Sequence, residues 1–428
     1  MILLFLALLG QGEARQATGV KVGEVTDTAA VVWMRVTAKA EPDAGGACPG
    51  APGRVRIRYG LREDLSDAKA TEWKAVDPAR DFTAQVALSG LEPGSEVFYA
   101  AETEGHAPLR GRFRTAPRPD AAAEVTFTVI TGKAYKDLDD PAGFHLYEAM
   151  RKLDPHFLVP TGDTVYYDND PPLATTKDLA RLHWQRMYGL PRHVAFGLRV
   201  PGYWEKDDHD TIWNDVWPTM RIDPRVQFTF EEGKQLFLEQ VPMGGRTYRT
   251  FRWGKALQVW LVEGRDFRSS NRDPDGPEKT IWGKEQKEWL KRSLLESDAD
   301  WKVLVSPTPI VGPDRGNKGD NHANRAFATE GTEIRRWFAE KLPKNFFVAC
   351  GDRHWQYHSI DPPTGVQEFS CGPASDKHAG GSPGENPEMH KFHRVKGGFL
   401  SVTASRERIV FRLHDVHGAV VYEHAPRR

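Results

Sequence analysis

Between Gly19 and about Pro117 the apolar residues fall in short runs that alternate with polar ones, as in Ala29 to Val36, Arg54 to Gly60 and Ala84 to Leu88. A period of two, broken repeatedly by Gly, Pro and Asp, predicts strands, because successive side chains of a strand point to opposite faces. Short strands at this spacing predict an all-β sandwich of immunoglobulin-like type. The stretch from about Glu41 to Gly53, rich in Gly, Pro and Ala, predicts a loop inserted at the sandwich edge.

After the linker Pro117 to Ala123 the pattern changes. Val125 to Ile130 predicts a buried strand, Phe144 to Leu153 an amphipathic helix, and Phe157 to Pro160 the next strand. Further along come strand Leu257 to Val262, helix Gly283 to Leu295, strand Trp301 to Val305, helix Thr332 to Leu342 and strand Phe346 to Cys350. Strands alternating with helices predict an α/β layered fold. Strand character returns at Phe399 to Val402 and Ile409 to Leu413, as a closing hairpin or edge strands. The expected division is a leader over residues 1–17, an all-β domain over 18–118 and an α/β domain over 124–428, which suits a chain of 428 residues.

The leader is expected because Met1 to Leu9 is an apolar run, shorter than the ~20 residues that span a bilayer, followed by small residues. It reads as a signal peptide and implies export to the periplasm or the outside; a buried N-terminal strand is the other reading, since no positive charge precedes the run. No other segment is long and apolar enough to be transmembrane. The formal net charge of −1 supplies no overall basic field, so no sequence-specific nucleic acid binding is expected and any recognition of phosphate must be local. Cys48, Cys350 and Cys371 are too sparse for a disulfide framework or a zinc knuckle, and Cys350 reads as packing. Thirteen Trp, 11 Tyr and 21 Phe read as large core side chains. Composition leaves the oligomeric state open.

Chemistry concentrates where strands end. Asp163 follows the strand ending at Pro160, with Tyr166 three residues on; Asp207, Asp208, His209 and Asp210 follow an expected short strand from Val200 to Trp204; Asp352 and His354 follow the strand ending at Cys350. In open α/β sheets ligands bind beyond the carboxyl ends of strands. Carboxylates gathered there repel one another unless a cation neutralises them, and hard metals accept oxygen-rich ligand sets with one or two imidazoles.

The runs Gly162-Asp163-Thr164-Val165-Tyr166, Asp207-Asp208-His209-Asp210, Trp260 to Arg268 and Gly351-Asp352-Arg353-His354-Trp355 resemble those of the PhoD-type alkaline phosphatases and phosphodiesterases, within the calcineurin-like metallophosphatase superfamily. Leu88 to Ala100 with Gly111 to Pro117 resembles the fibronectin type III-like module that precedes many such domains. The resemblance implies a β-sheet sandwich flanked by helices and metal-dependent hydrolysis of phosphate mono- or diesters by metal-activated water. It implies Asp163 as a bridging metal ligand, Tyr166 as a phenolate ligand, Asp208 with Asn214 at the second metal, and Asp352 and His354 completing the site. His209 falls where the superfamily places a histidine at the leaving-group oxygen, a general-acid role. Arg265 and Arg268 match a family pair that binds substrate or builds an ion-pair network. The metals implied are iron and/or calcium, with zinc or manganese as alternatives.

The sequence also departs from that pattern. Where PhoD-type proteins carry a cysteine after the first strand, this chain reads Thr131-Gly132-Lys133, and the acidic residue of the family's Asp-x-Arg run is Glu263. Lys133, Asp137, Asp139 and Asp140 are the nearby polar residues that could compensate. The missing ligand feeds an alternative, a catalytically decayed secreted binding or scaffold protein, and a sulfate ester of the same geometry is a third substrate reading.

Overall fold

The computed structural model describes residues 13–342 and 344–426. Most of the expected leader lies outside them. Gln16 and Ala17, inside the expected leader, pack into the first domain: Gln16 Nε2 donates to the carbonyl of Ala101 at 2.9 Å, and the Ala17 amide to Thr37 Oγ1 at 3.0 Å.

The first domain is the expected sandwich. One sheet orders Lys21–Gly23, Ala29–Arg35 and Thr83–Ser89; the other is built on Arg54–Gly60, Glu96–Thr103 and Leu109–Arg114, with two-residue strands at its edge. Inward positions such as Val32, Met34, Val55, Ile57, Val97 and Phe113 are buried, as the alternation requires. The Glu41 to Gly53 loop reaches the second domain, where the Cys48 amide donates to Gln185 Oε1.

The second domain stacks two sheets. A five-stranded sheet orders Phe157–Pro160, Val125–Ile130, Phe399–Ala404, Ile409–His414 and Val420–His424. A seven-stranded sheet orders Arg249–Trp253, Leu257–Leu261, Trp301–Ser306, Phe346–Cys350, Gln367–Cys371, Gln356–Ile360 and His390–Arg394. Val125, Phe127, Val129, Val303, Val305, Phe347 and Phe411 fill the space between them. Helices cover both outer faces: His145–Leu153, Lys177–Tyr188, Pro191–Gly197 and Phe230–Gln240 on the first, Gly283–Glu296 and Ala328–Lys341 on the second. Four parallel neighbours in the seven-stranded sheet, Leu257–Leu261 through Gln367–Cys371, direct their carboxyl ends to one rim, where Val125–Ile130 and the parallel Phe157–Pro160 also end.

Three expectations change. The hairpin from Phe399 lies inside its sheet, with Phe399–Ala404 between Val125–Ile130 and Ile409–His414, so it builds the core instead of closing an edge. Val200 to Trp204 is no regular strand: Pro201 has no N–H to donate, and isolated bridges stand in for a ladder, Gly202 with Leu158 and with Gly23, followed by Glu205 with Thr161. The second outer helix begins at Ala328, a turn before Thr332, because Glu330 is anchored by His322, Ile281 and Thr280.

Candidate metal centre

The rim is built by turns that only particular residues allow. A β-carbon on Gly162, at φ +91°, would lie 2.4 Å from Asp207 Cβ, so glycine is needed for the loops carrying Asp163 and Asp207 to touch. Asp163 and Asp352 both adopt positive φ, 51° and 60°, which turns their carboxylates back toward the rim. The Asp352 amide donates to Thr131 Oγ1 at 3.2 Å, joining the loops of the two sheets. Asp210 accepts from the amides of Asp207 (2.7 Å) and Thr164 (3.1 Å) and thereby shapes its own loop.

Among the described residues three groups of potential ligands result, each with ligand atoms within 4.8 Å of one another: Asp163 with Asp208 and His209, Asp163 with Asp207 and Asp352, and Asp208 with Asp215 and Asp320. Tyr166, fully buried, donates from its hydroxyl to Asp163 Oδ2 at 3.1 Å and stands 3.4 Å from His354 Nε2 and 2.9 Å from His378 Nε2. Buried polar atoms in folded proteins nearly always have partners. Asp163 Oδ1 and Asp207 Oδ2 are buried and have none. Burial pushes the Asp163 carboxyl well above its usual range, reinforced by Asp208 and Asp207, while burial lifts Asp207 to about 7 against the pull of Arg265. Asp208 is the exception: burial opposes its ionisation, but Arg265 and His209 hold its carboxyl well below the usual range. His354 and His378 are driven toward the neutral form by burial. Orphaned carboxylate oxygens in overlapping acidic groups, with a phenol on Asp163 and two imidazoles driven neutral beside that phenol, form a donor set that a divalent or trivalent cation completes, so the residues fit the metals implied by the sequence.

A family model described as PhoD-like phosphatase matches residues 127–427, and one described as its N-terminal domain matches residues 9–117. The chain belongs to the PhoD-like phosphatase family. Alkaline phosphatase D of Bacillus subtilis (strain 168) is 24% identical over 390 residues, covering 80% of this chain and 64% of that protein, so the chain spans less than two thirds of that relative. A solved structure of PhoD superposes with a TM-score of 0.80 at 18% identity, covering 97% of this chain and 90% of that one. The purple acid phosphatase PPD1 from yellow lupin (Lupinus luteus) seeds superposes with a TM-score of 0.66 at 12% identity, covering 97% and 75%. The family resemblance and the fold class read from the motifs are both borne out.

Within this PhoD-like domain Asp163, Tyr166, Asp208, His209, Asp352 and His354 converge, as their motifs led one to expect. Asn214 does not join them. Its side chain is exposed, and its backbone amide donates to Asp168 Oδ2 at 2.7 Å, while the next residue, Asp215, stands beside Asp208. Arg265 is fully buried and engaged by Asp207 (2.5 Å), Asp320 (3.5 Å) and Asp208 (3.6 Å), so it serves as a counter-ion behind the donors and not as a substrate clamp. Arg268 is buried behind it, bonded to the carbonyl of Asp320 and lying over the Phe327 ring; burial lowers it to about 10. Of the residues near Gly132, Lys133 bonds Tyr147 in the core, Asp139 holds Ser375 and the His145 amide, and Asp140 pairs with Arg192. Asp137 alone turns to the site, through His378. Glu263 pairs with Lys206.

Sequence reasoning missed Asp168, Asp215, Asp320 and His378. His378 sits just beyond the strand Gln367–Cys371, so the rule that found Asp163 and Asp352 would have reached it had that strand been recognised.

Proposed function

We propose that this chain hydrolyses phosphate esters at the rim site with the help of bound metal ions. The observation that carries the reading is the pair of buried, partnerless oxygens, Asp163 Oδ1 and Asp207 Oδ2, inside overlapping groups of potential ligands. When bound, the metals supply an activated water and neutralise charge on the phosphate oxygens. Asp163, Asp207, Asp208, Asp352, Tyr166 and His354 would hold them. Arg265 keeps Asp208 ionised, opposes the upward pull of burial on Asp207, and aims both carboxylates.

His209 protonates the departing ester oxygen as the bond from phosphorus to that oxygen breaks. Burial alone would favour its neutral form, but Asp208, Asp163 and Asp168 outweigh burial and hold the imidazolium well above its usual range. Nδ1–H is fixed on Asp168 Oδ1 at 2.5 Å, which leaves Nε2–H as the proton to give. The amide of Asn214 holds Asp168 in turn. Metal identity, iron and/or calcium against zinc or manganese, the preference between monoesters and diesters, the fibronectin type III-like character of the first domain and export to the periplasm or outside belong to the same reading, on the residues already given.

The test combines metal analysis of the purified chain with rates on aryl phosphate monoesters, diesters and an aryl sulfate. Stoichiometric metal and chelator-sensitive phosphate ester hydrolysis are expected. Full activity after exhaustive chelation would overturn the metal mechanism, and turnover of the sulfate alone would move the substrate class.

A further inference from the structure

The side chain of His378 is not exhausted by packing. Its ring lies on the short 3-10 turn Asp376–His378, whose N-cap Ser375 accepts the Lys377 amide at 3.2 Å. Nδ1 meets Asp137 Oδ2 at 2.8 Å, and the ring stacks obliquely on His354 with centroids 4.2 Å apart. With its Nδ1 proton taken by a carboxylate, the lone pair of the neutral ring is at Nε2, and Nε2 points at Tyr166 Oη, 2.9 Å away. Oη is also the neighbour of Asp163 Oδ2 at 3.1 Å and His354 Nε2 at 3.4 Å. Tyr166 Oη thus has one donor atom from each of three other side chains within 3.4 Å, close to the ~3 Å expected between neighbouring ligands that share one ion at ~2.0–2.2 Å. A carboxylate behind an imidazole is the usual arrangement for a histidine that ligates metal. The ring lies against position 132, where a β-carbon would sit 3.4 Å from His378 Cδ2, in van der Waals contact with it.

We infer that His378, oriented by Asp137, is a ligand of the metal held by Asp163, Tyr166 and His354, and supplies from the Asp376–His378 turn the donor that position 132 lacks. The inference rests on the metal-dependent reading above and deepens it: the absence of a side chain at Gly132 marks a relocated ligand and not a decayed site. Asp137 is a positioning residue, since it touches the ring and not the metal.

Cobalt(II), whose visible bands report ligand type and number, is the probe. The full chain is stripped, titrated with cobalt, and followed by absorption, metal content and melting temperature. His378→Ala is expected to weaken one site by at least about tenfold and to change its visible bands, and Asp137→Asn to weaken the same site less. Unchanged affinity and bands in a folded His378→Ala protein would overturn the assignment while leaving the phosphatase reading intact, provided wild type binds cobalt and cleaves esters. A wild-type chain that takes up no cobalt overturns both. Should His378→Ala fail to fold, the partly exposed Asp137→Asn decides, because weakened binding there supports the assignment and unchanged binding refutes it.

Discussion

Two groups of buried acids in the second domain differ in one respect. Glu263 and Asp266, each within 3.0 Å of Lys206 Nζ, find their cation inside the chain, as does Asp207 Oδ1 with Arg265, and Glu330 finds its partners in His322, Thr280 and the Ile281 amide. Asp163 Oδ1 and Asp207 Oδ2, no less buried, have no hydrogen-bond partner. Burying a charge without compensation is expensive enough that folded proteins avoid it or shift the group's pKa. The first group is therefore architecture, and the second is a site left for an ion from outside. The partnering of each oxygen, more than the density of acids, separates the two.

The sharpest way to break this comparison is Asp163→Asn. It should abolish metal binding and bring ester hydrolysis down to the background rate, and in stripped protein it should leave the melting temperature equal or higher, because an uncompensated carboxylate has been removed. Loss of stability in the stripped protein would mean that Asp163 is structural, like Glu263. Chelation of wild type should lower stability by linkage, and the variant should not respond to the chelator.

Next in size is His209→Ala, expected to lose ~10²–10⁴-fold in rate on alkyl phosphates and much less on nitrophenyl esters, whose leaving oxygen hardly needs a proton. Metal content should hold. An equal fall for both substrates together with loss of metal would make His209 a ligand, as its place in the group with Asp163 and Asp208 also allows.

Lys206→Met probes the other side of the comparison. It removes the nearest cation of Glu263 and Asp266, so a loss of about 3–5 kcal/mol in urea unfolding is expected, the same with and without metal. A loss confined to metal-loaded protein would show that this network supports the site and not the fold.

How much of this was legible beforehand follows from the same distinction. Asp163, Asp208, His209, Asp352 and His354 could be read because each follows an apolar run in a short motif, and runs such as Phe346 to Cys350 are buried at every position. The partners of those residues could not. Asp168 and Asp320 lie in irregular segments without periodicity, and Asp320 reaches Arg265 across 55 residues of chain. Arg265 and Arg268 look in sequence like phosphate binders, since the pattern shows their charge but not the carboxylate and carbonyl that occupy it. Helices Lys177–Tyr188 and Phe230–Gln240 were also invisible, because polar residues such as His183, Arg186, Glu239 and Gln240 are buried on them and blur the apolar stripe.

The smallest effect, on acid stability, tests a carboxylate of the paired kind far from any metal. Glu330 is buried, which opposes its ionisation, but His322 Nε2 at 3.0 Å, the Ile281 amide at 2.6 Å and Thr280 Oγ1 at 2.5 Å outweigh burial and lower its pKa to about 2. Since the folded value lies below the unfolded one, its contribution is fully present above about pH 4.5 and is lost as pH falls from there toward about 2. Between pH 6 and pH 3.5 that amounts to about 1 kcal/mol, because the unfolded carboxyl takes up its proton in this range and the folded one does not. Comparing urea midpoints of wild type and Glu330→Gln across that range isolates the contribution: the variant should start less stable at pH 6 and lose about 1 kcal/mol less on acidification. Parallel acid slopes in the two proteins would mean that the pairing of Glu330 adds nothing beyond filling space, and would remove one of the four examples on which the contrast with Asp163 rests.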